Sequence, residues 1–445
     1  MSERSALKLD EGSRVAVVGG GPAGSLFAYF LLDMAQRAGL DLQVDIYEPR
    51  DFSTSGPAGC NMCGGVVSES LVQALATEGI LLPTSVVQRG MNSYALHMDL
   101  GTVHIQTQLH EKRIAVVHRG AGPRGQKAAR WSSFDGYLLG LALGKGARLV
   151  RRKVDGLSWQ DGRPLVKAGD EPPQVYDLLA AAVGVNTAAS KLFEGLGFGF
   201  RPPSTTKAYI CELYLGQQAL EALLGSSMHV FLLNLPGLEF AALIPKGEYA
   251  TLCMVGEEID RPLVQTFLDA PEVRQCLPPD WSTPPDLCRC APRMNLRGAD
   301  PPFTDRIVFI GDAGVTRLYK DGIGAAYRAA KAAAITAVFD GISAEDFRRR
   351  YGALCRSTAN DNRIGRLIFA VAGLIQALRP ARRGVLRMII GEQGTTKRRP
   401  RMSMVMWDLF TGSAPYQEVF LRALHPAFVG RLALEVIAGL WARNS

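Results

Sequence analysis

The sequence holds no uninterrupted apolar run of about 18 residues, so no membrane-spanning helix is expected. Ahead of the first strand there is no apolar h-region, and no signal peptide is expected. Histidine is scarce, at 6 of 445 residues, and the 8 cysteines are scattered rather than spaced as a disulfide framework. That usage suits reduced thiols in a cytoplasmic protein. There is no nucleic-acid-binding motif, no iron–sulfur ligand pattern and no internal repeat, so nucleic acid is not an expected partner. What remains is an ordinary globular composition, 47% hydrophobic and 21% charged, long enough for two or three domains.

The charge is unevenly placed. From Asp346 to the end 17 Arg and Lys face 6 Asp and Glu, whereas the whole chain carries only +8, so the rest is slightly acidic. A basic C-terminal module of this kind suits anionic lipid, a phosphate-bearing substrate or an acidic partner.

The strongest local signal is Arg14-Val15-Ala16-Val17-Val18 running into Gly19-Gly20-Gly21-Pro22-Ala23-Gly24, followed by a helix-forming stretch from Ser25 to Arg37. In a dinucleotide-binding strand–turn–helix, Gly19 permits the tight turn, Gly21 lets backbone approach a pyrophosphate, and Gly24 lets helix pack closely on strand. Ala23 lies in the same turn, and the helix N-terminus offers free N–H groups to phosphate. A second strand, Gln43 to Tyr47, ends at Glu48, 24 residues past Gly24, where an acid would accept a ribose hydroxyl, and Arg50 follows beside it.

A loop then leads to Cys60-Asn61-Met62-Cys63-Gly64-Gly65, whose paired glycines allow close approach to a flat ligand, and Ser68 can cap a helix from Glu69 to Thr77. Four readings stay open for the cysteines: a metal site completed by Cys288 and Cys290, a redox pair, a thiol beside a cofactor, or small buried side chains. Spacing disfavours metal, and none is expected. Tyr94 to Val117 alternates like antiparallel strands, and its His97, His104 and His110 read as structural or solvated. Ile114–Val117 then enters a Gly-rich basic loop whose Arg119 and Arg124 could reach a pyrophosphate.

Ser133 caps a further helix, Val154 to Tyr176 reads as a β-meander, and Leu178 to Asn186 returns a buried strand to the first sheet. Thr205 to Gly256 alternates again and forms a second, sheet-based domain with Pro245-Lys246-Gly247 as a turn. Arg306 to Gly314 is an apolar strand that puts Gly311 and Asp312 at the carboxyl edge of the sheet, where open α/β folds bind ligands. Gly322, Ile323 and Gly324 then open an Ala-rich helix to Phe339, its N–H groups facing an electron-rich ring.

The fold class is therefore α/β, a Rossmann-type domain with an inserted antiparallel sheet and a helical C-terminal region. The expected division is 1–90, 114–200 and 288–345 for the first domain, 91–113 and 201–287 for the sheet domain, and 346–445 for the basic helices. In that last part Ile364 to Leu378 and Phe428 to Trp441 suit either helices packed on the second domain or interfacial helices touching a membrane surface.

The order of the glycine turn, Glu48, Arg119, Phe134-Asp135, Gly184 and Gly311-Asp312 resembles, over about residues 13–340, the flavoprotein class that includes aromatic hydroxylases and geranylgeranyl reductases. Cys63-Gly64-Gly65 and Ala242-Leu243-Ile244-Pro245-Lys246-Gly247 resemble the geranylgeranyl reductase family more closely. The resemblance implies FAD bound non-covalently, with Glu48 on the adenosine ribose, Asp312 on the ribityl or pyrophosphate region, and Cys63 near the flavin face as a catalytic candidate. It implies a hydrophobic, lipid-like substrate whose carbon–carbon double bond is reduced, and an electron donor such as NAD(P)H, ferredoxin or another reductase. Two departures stand out. Val183 replaces the Asp of the family's Ala-Asp-Gly segment, and Ala241 and Ala242 replace aromatic residues. The first weighs against an NADPH-driven hydroxylase, which stays as the alternative, together with a peripheral flavoprotein relaying electrons to quinone. The expected location is cytoplasmic, with the inner membrane face open to a peripheral form.

Overall fold

Six strands form the first sheet, in the order Phe303–Thr304, Ile307–Phe309, Leu178–Ala181, Arg14–Val18, Gln43–Tyr47 and Arg148–Val150. All neighbours in it are parallel except the Phe303–Thr304 edge. The computed structural model describes residues 7–106, 114–125, 131–257, 259–393 and 400–441. Apolar side chains on both faces of each strand explain why this sheet is covered twice. Val15, Val17, Ile46 and Val308 pack under the helices Pro22–Ala38, Phe134–Gly144 and Gly322–Ile335. On the other face Ala16, Leu179 and Phe309 pack with the meander residues Val154, Val166 and Tyr176 and with Phe193 and Phe200. The expected caps form: Ser68 Oγ accepts from the Leu71 N–H and Ser133 Oγ from the Gly136 N–H.

The second sheet contains Ser93–Met98, Gly101–Gln106, Ser204–Tyr214, Ser227–Phe231, Leu238–Lys246 and Tyr249–Gly256. It also contains Cys288–Cys290 and Arg293–Arg297, which both pair antiparallel with Ser204–Tyr214. The strands within residues 288–297, a stretch expected in the first domain, thus run in the second sheet, where two short segments find their hydrogen bonds. A helix, Gln217–Leu223, interrupts the expected run of strands. Val66–Val67, Ile114–Val117 and Val87–Met91 make a separate three-stranded sheet beside the first domain. His110 lies outside the described residues.

One face of the second sheet, with Cys211, Phe231, Leu243 and Met254, is covered by the helices Arg261–Asp269 and Pro271–Arg274. The other face, with Tyr94, Leu96, Val230, Ala242 and Ile244, is covered by C-terminal side chains that include Leu386, Ile389, Met402, Met406 and Trp407. Those side chains come from Arg379–Gln393 and Arg401–Thr411, and the longer helix Tyr351–Ala377 meets Arg379–Gln393 at a 105° bend. The basic C-terminal region thus packs on the second sheet through Arg379–Gln393 and Arg401–Thr411.

Candidate functional site

The glycine turn is shaped by close approach. Gly19 has φ +109°, and a Cβ there would lie 2.4 Å from the Ala182 carbonyl oxygen. A Cβ on Gly24 would lie 1.9 Å from the Gly19 oxygen, so helix and strand can meet only without it. Gly21 is different: a Cβ there would meet only side chains at ordinary contact distance, Asn61 Nδ2 at 3.4 Å and Arg119 Nη2 at 3.6 Å, and the residue borders a cavity. At the end of the second strand Glu48 is buried. Its Oε2 accepts the Gly20 N–H at 3.0 Å, and its Oε1 accepts the Arg50 N–H at 3.0 Å and Arg50 Nε at 3.1 Å. Arg50 therefore stands between Glu48 and the cavity.

That cavity, about 340 Å³, runs from the turn to the face of the second sheet. Of the expected site residues, Gly21, Ala23, Arg50, Cys63, Gly64, Gly65, Arg119, Gly311, Asp312, Gly322 and Ile323 line it. Gly19, Gly24, Glu48 and Gly324 lie behind its wall, and Arg124 is exposed elsewhere. Arg119 is held by Asp135, which is fully buried: Nε donates to Oδ1 at 2.6 Å and Nη2 to Oδ2 at 2.9 Å. Asn61 Nδ2 also donates to Asp135, so one carboxylate from a helix N-terminus fixes two groups on the cavity wall. The Asp135 charge raises the Arg119 pKa against the effect of its burial.

Asp312 lines the cavity with its side chain exposed to it, and desolvation by the surrounding walls raises its pKa while Arg119 opposes the rise. Nearby, Asn295 Nδ2 donates to the Asp312 carbonyl at 2.8 Å, and Asn295 Oδ1 is buried without a hydrogen-bond partner among the described residues. Nothing in the sequence marks Asn295, because the short strand Arg293–Arg297 that carries it finds its partner only at long range. Cys63 Sγ accepts the Gly65 N–H at 3.3 Å. The four cysteines of the open metal reading, Cys60, Cys63, Cys288 and Cys290, border a separate small cavity of about 30 Å³. Burial pushes Cys60 up to about 11 and Cys290 up to about 12, as expected of thiols kept protonated.

The far end of the main cavity is apolar. Met228, Val230, Ala242 and Ile244 of the sheet face Phe369, Leu409 and Phe410 of the C-terminal helices. Those three aromatic and aliphatic residues were not legible as site residues, because an apolar helical stripe does not name its partner. A basic corner closes this end. Lys320 Nζ donates to the carbonyls of Asp408 and Ala414, both at 2.9 Å, and Arg317 pairs with Asp321 at 2.8 Å.

Burial lowers Lys320 to about 7, and the neighbouring Arg317 adds to the fall. An unfolded chain would hold that proton up to the ordinary value of 10.5. Unfolding therefore takes up a proton between those values, and stability rises with pH across that window. Denaturation of the wild type at pH 7 and pH 9 is expected to show this gain, and Lys320→Met to remove most of it; an unchanged slope in the variant would assign the gain to other groups.

No family model matches the chain, and no curated relative does. Solved structures do match. A flavoprotein/dehydrogenase from Cytophaga hutchinsonii superposes with TM-score 0.64 at 12% identity, over 96% of this chain and 100% of that one. p-Nitrophenol 4-monooxygenase PnpA from Pseudomonas putida gives TM-score 0.58 at 14% identity, over 92% and 100%. A mutant of the halogenase PltM in complex with FAD gives TM-score 0.59 at 13% identity, over 98% and 92%. At these identities the likeness is one of fold: the α/β domain, the inserted sheet and the C-terminal helices are shared across nearly the whole chain.

Proposed function

We propose that the protein is an FAD-dependent oxidoreductase that saturates a carbon–carbon double bond in an isoprenoid or related lipid. The observation that carries this reading is the single cavity that begins at Gly21 and ends between an apolar sheet face and apolar helices. The shared fold supports it, since one neighbour is a complex with FAD and the others are flavoprotein and monooxygenase structures. The residues present fit the cofactor. Gly21 leaves the space a pyrophosphate needs, and Arg119 is pre-set by Asp135 to meet its charge. Asn295 Oδ1 offers an acceptor that lacks a partner among the described residues. Glu48 stands at the strand end suited to the ribose, with Arg50 at the cavity edge.

Bound FAD would supply two-electron redox chemistry within this cavity. The N-terminus of the Gly322–Ile335 helix turns free N–H groups and a positive dipole end toward the cavity. Met228, Val230, Phe240, Phe369 and Phe410 hold an apolar chain and exclude water from it. Cys63 Sγ, on the cavity wall, is the proton-bearing group assigned to the second alkene carbon. Cys63→Ser is expected to keep FAD and lose about 100-fold in turnover; normal turnover would remove the assignment. Electrons come from NAD(P)H, ferredoxin or another reductase, and stopped-flow reduction of the bound flavin by each identifies the donor.

Hydroxylation of an aromatic or polyketide-like substrate is the second reading, favoured by the fold shared with a p-nitrophenol monooxygenase. Val183 on the cavity wall weighs against it, because no carboxylate stands there. Substrate-stimulated oxygen consumption with NAD(P)H would favour that reading over reduction.

A lipid substrate agrees with the surface of the C-terminal helices. Among the described residues no single helix is long and apolar enough to cross a membrane. Leu367, Val371, Leu374 and Leu378 nevertheless form an exposed stripe at helical spacing, and Leu434, Ile437 and Leu440 form another. Gly439 lies 3.5 Å from the Pro380 carbonyl by its would-be Cβ, which brings the end of the second stripe beside the start of the helix after Leu378. With the region's net positive charge, we assign this surface to contact with an anionic membrane. Flotation with phosphatidylserine vesicles is expected for the wild type and lost in the double variant Leu374→Glu/Leu378→Glu. Binding that survives both that change and high salt would refute the assignment.

A further inference from the structure

The sheet face turned away from the cavity carries a polar group that the proposed reaction does not use. In register, Phe231, His97 and Thr102 form one cross-strand row, and His229, Ala95 and His104 form the next. Alternate residues share a face, so three histidines stand together, with small Ala95 between two of them. The segment after the Pro271–Arg274 helix lays Cys276 on the same face. Cys276 Sγ is 3.5 Å from His229 Nδ1 and 3.8 Å from His97 Nε2, and the two ring nitrogens are 2.9 Å apart. His97, His229 and Cys276 are all buried.

Tetrahedral zinc, with bonds of about 2.05 Å to nitrogen and about 2.3 Å to sulfur, sets N···S near ~3.6 Å and N···N near ~3.4 Å. Both sulfur distances already match, and the rings need to part by only about half an ångström. The outward nitrogens are tied down as ligand histidines require. His229 Nε2 faces the Leu224 carbonyl at 3.3 Å, so its N–H belongs there and the Nδ1 lone pair points inward. His97 Nδ1 lies 2.9 Å from Thr102 Oγ1 and 3.4 Å from Gln275 Nε2. The hydroxyl can accept from Nδ1–H, which frees Nε2 as a ligand.

We propose that His97 Nε2, His229 Nδ1 and Cys276 Sγ form a site for a borderline-soft divalent cation, zinc by preference, that clamps the segment after Pro271–Arg274 to the second sheet. The fourth ligand is a water on the side where His104 and Gln275 are exposed. On binding, the Cys276 thiol gives its proton to solvent and the His97 proton moves from Nε2 to Nδ1, so one proton is released per metal. The competing arrangement is a metal-free hydrogen-bond chain in which His97 Nε2–H donates to His229 Nδ1.

The two are separated by titrating the chelator-stripped full chain with cobalt(II). The expected result is one equivalent bound, a thiolate-to-metal charge-transfer band with tetrahedral d–d absorption, one proton released, and displacement by zinc. Cys276→Ser and His229→Gln should each lose the charge-transfer band or about tenfold or more in affinity, while Cys288→Ser keeps both. Absence of a thiolate band in the wild type overturns the proposal. So does a band that survives Cys276→Ser and is lost in Cys60→Ser. If Cys276→Ser fails to fold by circular dichroism, the wild-type spectrum and a zinc-dependent rise in melting temperature decide the matter.

Discussion

Gly21→Glu is expected to fold with the melting temperature of the wild type and to bind no FAD, whereas Gly24→Ala is expected to lose both fold stability and FAD. The two glycines sit three residues apart in one turn, but their surroundings differ. At Gly21 the backbone is extended, with φ −70° and ψ −173°, and the nearest atoms to a Cβ are side chains at 3.4 Å or more. A glutamate there fits the fold, puts its carboxylate beside Arg119 and fills the phosphate space with like charge. At Gly24 a Cβ would meet the Gly19 carbonyl at 1.9 Å and Val17 Cγ1 at 3.0 Å, and backbone cannot give way as a flexible side chain would. The helix must lift from the strand, at a cost of about 3 kcal/mol or more. Flavin absorbance of the purified proteins and their melting curves check both. Full FAD occupancy in Gly21→Glu would mean that the cofactor lies elsewhere.

Asp135→Ala is expected to destabilise the protein by about 3 to 5 kcal/mol, the range for removing one partner of a buried ion pair. The large effect follows from what stays behind. Arg119 is only 14% exposed at its side chain and would keep its charge with its hydrogen-bonded carboxylate removed, and Asn61 would lose the same acceptor. Urea denaturation measures the loss. Asp135→Asn separates charge from shape, since it keeps an acceptor but not the anion. It is expected to fall between wild type and alanine, and to weaken FAD binding about tenfold or more, because Arg119 is no longer aimed. A wild-type midpoint in Asp135→Ala would show that Arg119 finds another partner.

What the sequence reveals and what it hides separates along physical lines. The turn, the strand ending at Glu48, and the Ser68 and Ser133 caps are legible because each depends on residues within a few positions of one another. Position along the chain does not reveal that Glu48 is covered by Arg50, since that depends on how a side chain folds back over its own strand end. The pairing of residues 288–297 with Ser204–Tyr214 is not legible, because short segments such as Cys288–Cys290 carry little alternation and find their partner at long range. Asn61, Arg119 and Asp135 form one unit although 74 residues separate the first from the last. The apolar walls at Phe369, Leu409 and Phe410 show the same limit: periodicity marks a buried face but not what is buried against it. His97, His229 and Cys276 had no common signal, since strand pairing and one helix bring them together.

In the proposed reaction this cavity joins a flavin to an apolar alkene. Its most direct measurement is mass spectrometry of a prenyl lipid incubated without oxygen with the dithionite-reduced, FAD-loaded full chain. A gain of two hydrogens for each double bond reduced, absent in Gly21→Glu, is the result expected. A lipid recovered unchanged, together with an aromatic substrate that gains oxygen when air and NAD(P)H are supplied, would contradict it.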